Sequence, residues 1–325
     1  MFWPSNQMFL DAERLAALGR SCRDAYVSAC EDMPIDNDLG PLLESLYLPL
    51  AAWLDAARRE AGSARVVGVC GAQGSGKSTF CRLLGTVMEH AFGHSTAILS
   101  IDDVYETRER RETLAREVHP LFVTRGVPGT HDVELGIRTI EGLVALGAGE
   151  ELRLPVFDKA IDTRLARERW KRQRGPVDTV LFEGWCVGAL PESEAALVAP
   201  VNRLEREEDA DAVWRRCVNR HLEGNYQRLF ALIDILILLR VEGMHRVFEW
   251  RRLQEHKLAE SIADRSGANT RIMSDAQVDR FVMHYERLTR HILDEMPGRA
   301  DIVLNVDGSH SAASVCINKP LGGPL

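Results

Sequence analysis

The chain has 325 residues, enough for one large α/β domain or two small ones, and 45% of them are apolar, as in an ordinary globular protein. A formal net charge of −8 excludes a global basic field of the kind that draws nucleic acid or anionic lipid, so neither partner is expected. An acidic protein that binds anions must concentrate its positive charge locally.

Residues 1–60 read as a helical N-terminal extension. Leu15, Leu18, Cys22 and Tyr26 recur at helical spacing, as do Leu43, Leu46, Leu50, Trp53 and Leu54, with a break at Asp36 to Pro41. A main domain over 61–307 then alternates strands with helices. Strands are predicted at 65–70, 97–101, 178–183, 233–241 and 301–306. The intervening lengths suit helical crossovers, which gives an α/β fold, a parallel sheet with helices on both faces. Ligands of such sheets bind outside the carboxyl ends of the strands. The tail 308–325, rich in Gly, Ser and Pro, reads as irregular.

The first strand runs directly into Gly71-Ala72-Gln73-Gly74-Ser75-Gly76-Lys77-Ser78-Thr79, an ungapped match to G-x-x-x-x-G-K-[ST], and an apolar-periodic helix follows. Gly71, Gly74 and Gly76 let the backbone, with Ser75, wrap around an anion, and the helix dipole adds partial positive charge. Lys77 reaches the outer phosphates of a nucleotide; Ser78, beside Thr79, supplies a hydroxyl to Mg²⁺. ATP and Mg²⁺ are the cofactors this implies.

Further signals lie at the ends of the other strands. Asp102 and Asp103 follow the second strand, with Tyr105 close behind. A phosphoryl acceptor needs a carboxylate to orient its hydroxyl and take its proton, and either aspartate serves. Arg125 to Asp132 is a Gly- and Pro-containing turn carrying the cation Arg125 and the imidazole of His131. Asp158, Lys159 and Arg164 put a carboxylate and two cations in one loop, where cations can hold an anionic acceptor. The basic run Arg164 to Arg174 reads mainly as a solvated helix face or loop. Val180 to Glu183 is an apolar strand delivering a carboxylate to its tip, the place of a Mg²⁺ partner. Arg251 and Arg252 lie on a helix that can cover the transferred phosphate and exclude water, or form surface ion pairs.

Seven scattered cysteines with no C-x-x-C pair indicate neither a zinc site nor a disulfide framework, and a cytoplasmic location is the simpler reading. The longest apolar run, Leu229 to Leu239, is about half the length of a membrane span and contains Asp234. The N-terminus, with Asp11 and Glu13, does not read as a secretory signal.

In this order the segments resemble the P-loop kinases of small metabolites (uridine kinase, phosphoribulokinase, pantothenate kinase), and most closely the D-glycerate 3-kinases of plants and their bacterial relatives. The specific segments are Arg125-Gly126-Val127-Pro128-Gly129-Thr130-His131-Asp132, Pro155-Val156-Phe157-Asp158-Lys159-Ala160 and Phe182-Glu183-Gly184-Trp185-Cys186-Val187-Gly188-Ala189. The phosphate loop alone names only a superfamily. The resemblance runs from about Tyr47 to Val306. It implies ATP-dependent phosphorylation of D-glycerate to 3-phosphoglycerate, with Asp102 matching the acceptor-activating aspartate and Lys77, Ser78 and Glu183 the phosphate and Mg²⁺ contacts. Charge adds Arg125, Lys159 and Arg164 as candidates for the substrate carboxylate. The chain departs from the family at Val104, at Ile161 to Arg164 and after Asp307. A kinase of another hydroxyl acceptor, or a nucleotide-dependent switch or ATPase, are the alternatives.

Overall fold

The structure, a computed structural model, describes residues 2–33, 38–263, 273–308 and 312–321. Parts of the break read over 36–41 and of the tail read over 308–325 therefore lie outside the described residues. Two helices, α1 (Ala12–Glu31) and α2 (Leu48–Ala61), lead into β1 (Arg65–Gly71), the phosphate loop and α3 (Lys77–Phe92). There follow β2 (Thr96–Ser100), α4 (Arg108–Glu117), α5 (Val133–Val144), β3 (Glu151–Leu154), β4 (Phe157–Asp158), β5 (Thr163–Arg164) and β6 (Lys171–Arg174). The chain continues through β7 (Thr179–Gly184), α6 (Arg203–Glu208), α7 (Val213–His221), α8 (Gln227–Phe230), β8 (Ile235–Val241) and α9 (Met244–Ala263). It closes with α10 (Asp275–Glu295), β9 (Ile302–Val306) and β10 (Ala312–Ile317).

The main sheet has the order β10-β9-β8-β1-β7-β2. All its pairs are parallel except β9 with β10. Alternation along each strand splits the core between the two faces, as the period of two requires. Val67 and Val69 of β1, with Ile237 and Leu239 of β8, join a cluster built on α1, α2 and α3. Val66 and Cys70, with Leu236 and Leu238, join the opposite cluster, built on α5 and α10. The N-terminal helices thus bury Leu18, Cys22, Trp53 and Leu54 in the same cluster as the sheet. Among the described residues no helix is long and apolar enough to cross a membrane.

Two expectations are corrected. The tail is not irregular throughout: β10 pairs antiparallel with β9, Ile317 opposite Ile302, and Lys319 adds an ion pair to Asp301 at 2.9 Å. Val315 and Ile317 suit a strand, and the edge of β9 gives them a partner that a reading of the Gly-, Ser- and Pro-rich flanks does not reveal. The basic run 164–174 is solvated from Arg167 onward, as expected, but only Arg167–Arg169 is helical, as a single 3-10 turn, and its ends are strands. Lys171–Arg174 forms β6 against β3, and Thr163–Arg164 pairs with Phe157–Asp158. These short ribbons stand beside the carboxyl end of the sheet, as the hydrogen bond from Phe157 N to Asp103 Oδ1 shows.

Candidate active site

Parallel strands end on the same side, so β1, β2 and β7 deliver their C-terminal residues to one edge. Glu183 pairs in register with Val69 on one flank and Ser100 on the other. A cleft of about 490 Å³ opens there. Its walls include Gly74, Lys77 and Ser78 of the loop, Asp102, Asp103 and Tyr105 after β2, Glu183 at the end of β7, and Arg125, Lys159 and Arg251.

The loop takes its shape from Gly74 and Gly76, at φ +80° and +85°, a region costly for residues with a Cβ. Gly74 also admits α9: a Cβ there would stand 2.9 Å from Trp250 Cβ. The N-terminus of α3, whose cap is Gly76, faces the cleft through Lys77 and Ser78. Lys77 Nζ donates to the carbonyl of Ala72 at 2.9 Å, a contact a phosphate can replace. Gln73 lines the cleft and its Oε1 is buried without a protein partner, which fits a ligand-facing loop. Ser78 Oγ donates to Glu183 Oε1 at 2.8 Å, so a hydroxyl and a buried carboxylate meet at the mouth of the loop. Both are hard oxygen donors, which fits Mg²⁺, an ion that completes its shell with substrate phosphates and water. Among the described residues no cluster of three His, Cys, Asp or Glu forms a self-contained metal site. Gly71, Ser75, Gly76 and Thr79 shape the loop and first turn without lining the cleft.

On the opposite wall the two aspartates separate by environment. Burial raises Asp102, but the ammonium of Lys159, 2.6 Å from Oδ2, and a hydrogen bond from Tyr105 lower it, and the balance leaves the carboxyl below its usual range. Asp103 goes the other way. Burial raises it and the charges of Asp102 and Glu183 add to that, against the lowering pull of Lys171 and of the hydrogen bond its Oδ1 accepts from Phe157 N at 3.3 Å. Both line the cleft, but Asp102 is the carboxylate held more firmly ionised, and Asp103 ties β4 to the end of β2.

Arg125 is held by an ion pair with Asp162, whose other oxygen meets Arg111 Nη2 at 2.8 Å. Arg111, 1% exposed, also donates to the carbonyls of Val123 and Asp162 at 2.6 and 2.9 Å. The turn bearing Arg125 is pinned from behind by Trp185 Nε1 on the carbonyl of Gly126 and Tyr285 Oη on the carbonyl of Arg125, at 2.9 and 2.8 Å. Gly126, at φ +134°, is required there because a Cβ would fall 2.1 Å from Tyr285 Oη.

Three expected substrate residues stand outside the cleft wall. His131 is buried, stacks on Tyr105 with ring centroids 4.5 Å apart, and meets Tyr226 Oη at 2.6 Å. Burial drives its imidazole down to about 3, so it is a neutral support behind Tyr105. Arg164 turns to Asp132 at 3.0 Å, and Asp158 caps its own turn by accepting from Ala160 N at 2.9 Å. In each case a nearer local partner takes the side chain. On α9 the adjacent arginines part: Arg251 lines the cleft and pairs with Glu255 at 3.0 Å, whereas Arg252 faces away to Asp279 at 2.6 Å. Trp185, Gln254, Phe281 and Tyr285 complete the walls. Trp185 falls in the Phe182 to Ala189 segment, but the sequence does not single these four out as lining residues; they share a place on segments that reach the sheet's carboxyl edge.

Comparison with known proteins agrees with this geometry. A family model described as methylmalonyl Co-A mutase-associated GTPase MeaB matches residues 50–108, the unit from α2 through the phosphate loop to the start of α4. The uncharacterized kinase mug58 of Schizosaccharomyces pombe is 32% identical over 251 residues, 75% of this chain and 86% of that protein. The chloroplastic D-glycerate 3-kinase of Arabidopsis thaliana is 30% identical over 228 residues, 68% of this chain but 46% of the plant protein's length. Among solved structures, a D-glycerate 3-kinase from Cryptococcus neoformans var. grubii shares the fold with a TM-score of 0.68 at 24% identity, covering 83% of this chain and 97% of its own. The YGR205w protein does so with a TM-score of 0.67 at 24% identity, covering 84% and 96%. With its phosphate loop, Asp102 and strand-end Glu183 in one cleft, the chain belongs to the family of P-loop small-molecule kinases that holds the S. pombe kinase and the plant D-glycerate 3-kinase.

Proposed function

We propose that the protein transfers the γ-phosphoryl group of ATP to a hydroxyl of D-glycerate, giving 3-phosphoglycerate and ADP. One observation carries this reading. The cleft that joins the phosphate loop to Asp102 also holds two acceptor-side cations, Arg125 and Lys159, as a small hydroxy acid requires. A switch that only hydrolyses nucleotide has no use for that wall.

The loop amides and Lys77 hold the polyphosphate, and Arg251 faces it from α9. Ser78 and Glu183 would hold Mg²⁺, which would supply neutralising positive charge to the phosphates. Asp102 orients the acceptor hydroxyl and takes its proton as the hydroxyl oxygen bonds to the γ-phosphorus; the bond from that phosphorus to the bridging oxygen breaks and ADP leaves. Tyr105 steadies the Asp102 carboxylate, and Asp103 positions the ribbon carrying Lys159. Arg125 presents its remaining donors to the substrate carboxylate, since a guanidinium has more donors than Asp162 uses. The seven free thiols suit the reducing cytoplasm.

The test is coupled ADP release with Mg-ATP and D-glycerate, L-glycerate, uridine or pantothenate. Strong stimulation by D-glycerate alone is expected. Stimulation by another acceptor, or by none while ATP still binds, refutes the assignment.

A further inference from the structure

The two acceptor-side cations are not equivalent. Arg125 is locked: its partner Asp162 is itself gripped by the buried Arg111. Lys159 is on the turn between β4 and β5, its side chain 61% exposed, and its ammonium rests 2.6 Å from Asp102 Oδ2. The cation best placed to meet an incoming carboxylate therefore covers the group best placed to act as base.

We infer that Lys159 is a charge-sensing specificity residue: the acceptor's own carboxylate draws it off Asp102, so only an anionic hydroxyl acceptor frees the base. The inference rests on the reading of Asp102 as that base. An ammonium is a compact point charge on a flexible stem, and one carboxylate partner substitutes for another with little penalty. A neutral polyol offers no replacement and leaves the ion pair closed. Withdrawal of Lys159 also strengthens Asp102. Burial raises that carboxyl and Lys159 leads the groups that offset it. Without the cation the carboxyl rises and the carboxylate becomes a better proton acceptor. Before an acceptor arrives, the same contact keeps Asp102 from activating water, which protects ATP from idle hydrolysis.

The first arm of the test needs no acceptor: ADP release from Mg-ATP alone by the wild type, Lys159→Met, Lys159→Gln, and Lys159→Met combined with Asp102→Asn. Both single variants are expected to release ADP at least about tenfold faster than the wild type, and the double variant to lose the gain. Rates equal to the wild type, or a gain that survives Asp102→Asn, overturn the inference. The second arm compares kcat/KM for D-glycerate and for glycerol. Lys159→Met is expected to lower the D-glycerate preference by more than about tenfold, partly through a higher rate with glycerol. A raised KM for D-glycerate with no change in the glycerol rate overturns it, since Lys159 then only binds. A wild type unresponsive to D-glycerate refutes the proposed function instead, while the first arm still decides whether Lys159 masks Asp102.

Discussion

Arg111 is the residue through which fold stability and the acceptor site are most directly coupled. Replacing it with Met keeps the apolar stem and removes the guanidinium. Asp162 then loses one of its two cations, and the carbonyls of Val123 and Asp162 lose their donor. Breaking a buried pair by removing one partner costs about 3–5 kcal/mol. Asp162 is 26% exposed, so water recovers part of its solvation and the low end, about 3 kcal/mol, is expected. That is a large part of the roughly 5–15 kcal/mol by which domains are stable. The assay is urea denaturation, read as a lower midpoint at unchanged slope. The acceptor KM should rise as well, because Arg125 loses the anchor behind Asp162, while the KM for ATP should hold. A loss below about 1 kcal/mol, or an equal rise in both KM values, would refute the argument.

Further outcomes follow from the site. Lys77→Ala should abolish turnover with an unchanged unfolding midpoint, since it removes a half-exposed cation and no core packing; near-normal kcat would overturn the phosphate-loop assignment. Asp102→Asn should lower kcat by about 10²-fold or more, and Asp103→Asn by less; the reverse order in steady-state assays would exchange their roles. Stability should fall as the solution is acidified. Burial holds His131 at about 3 and His284 at about 4, below the value near 6.5 of an unfolded histidine. The unfolded chain therefore binds protons that the folded chain refuses, and stability present above about pH 6.5 is lost by about 1.4 kcal/mol per pH unit per histidine down to about pH 4. Denaturation near pH 7 and near pH 5 checks this; equal midpoints would mean these rings are not held neutral.

Much of the molecule was legible because its signals are local. The phosphate loop is contiguous, and its glycines, lysine and serine act where they stand in sequence. The apolar runs that became β1, β7 and β8 are buried on both faces, so they stand out without knowledge of their neighbours. Asp102 and Glu183 could be proposed because a parallel sheet sends every strand end to one edge.

What the sequence left open depends on contacts between distant segments. The choice between Asp102 and Asp103 turns on Lys159 and Phe157, more than fifty positions away along the chain. Whether Arg251 or Arg252 faces the cleft depends on how α9 lies over Gly74, and on Glu255 and Asp279 for their partners. His131 has the right chemistry for a substrate ligand, yet Tyr105 and Tyr226 enclose it and leave it neutral. β10 takes its place from pairing with the edge of β9. Composition and spacing determine which groups are available; packing decides which pairs lie close enough, and dry enough, for charge to matter, because Coulomb energy rises steeply as distance and dielectric fall.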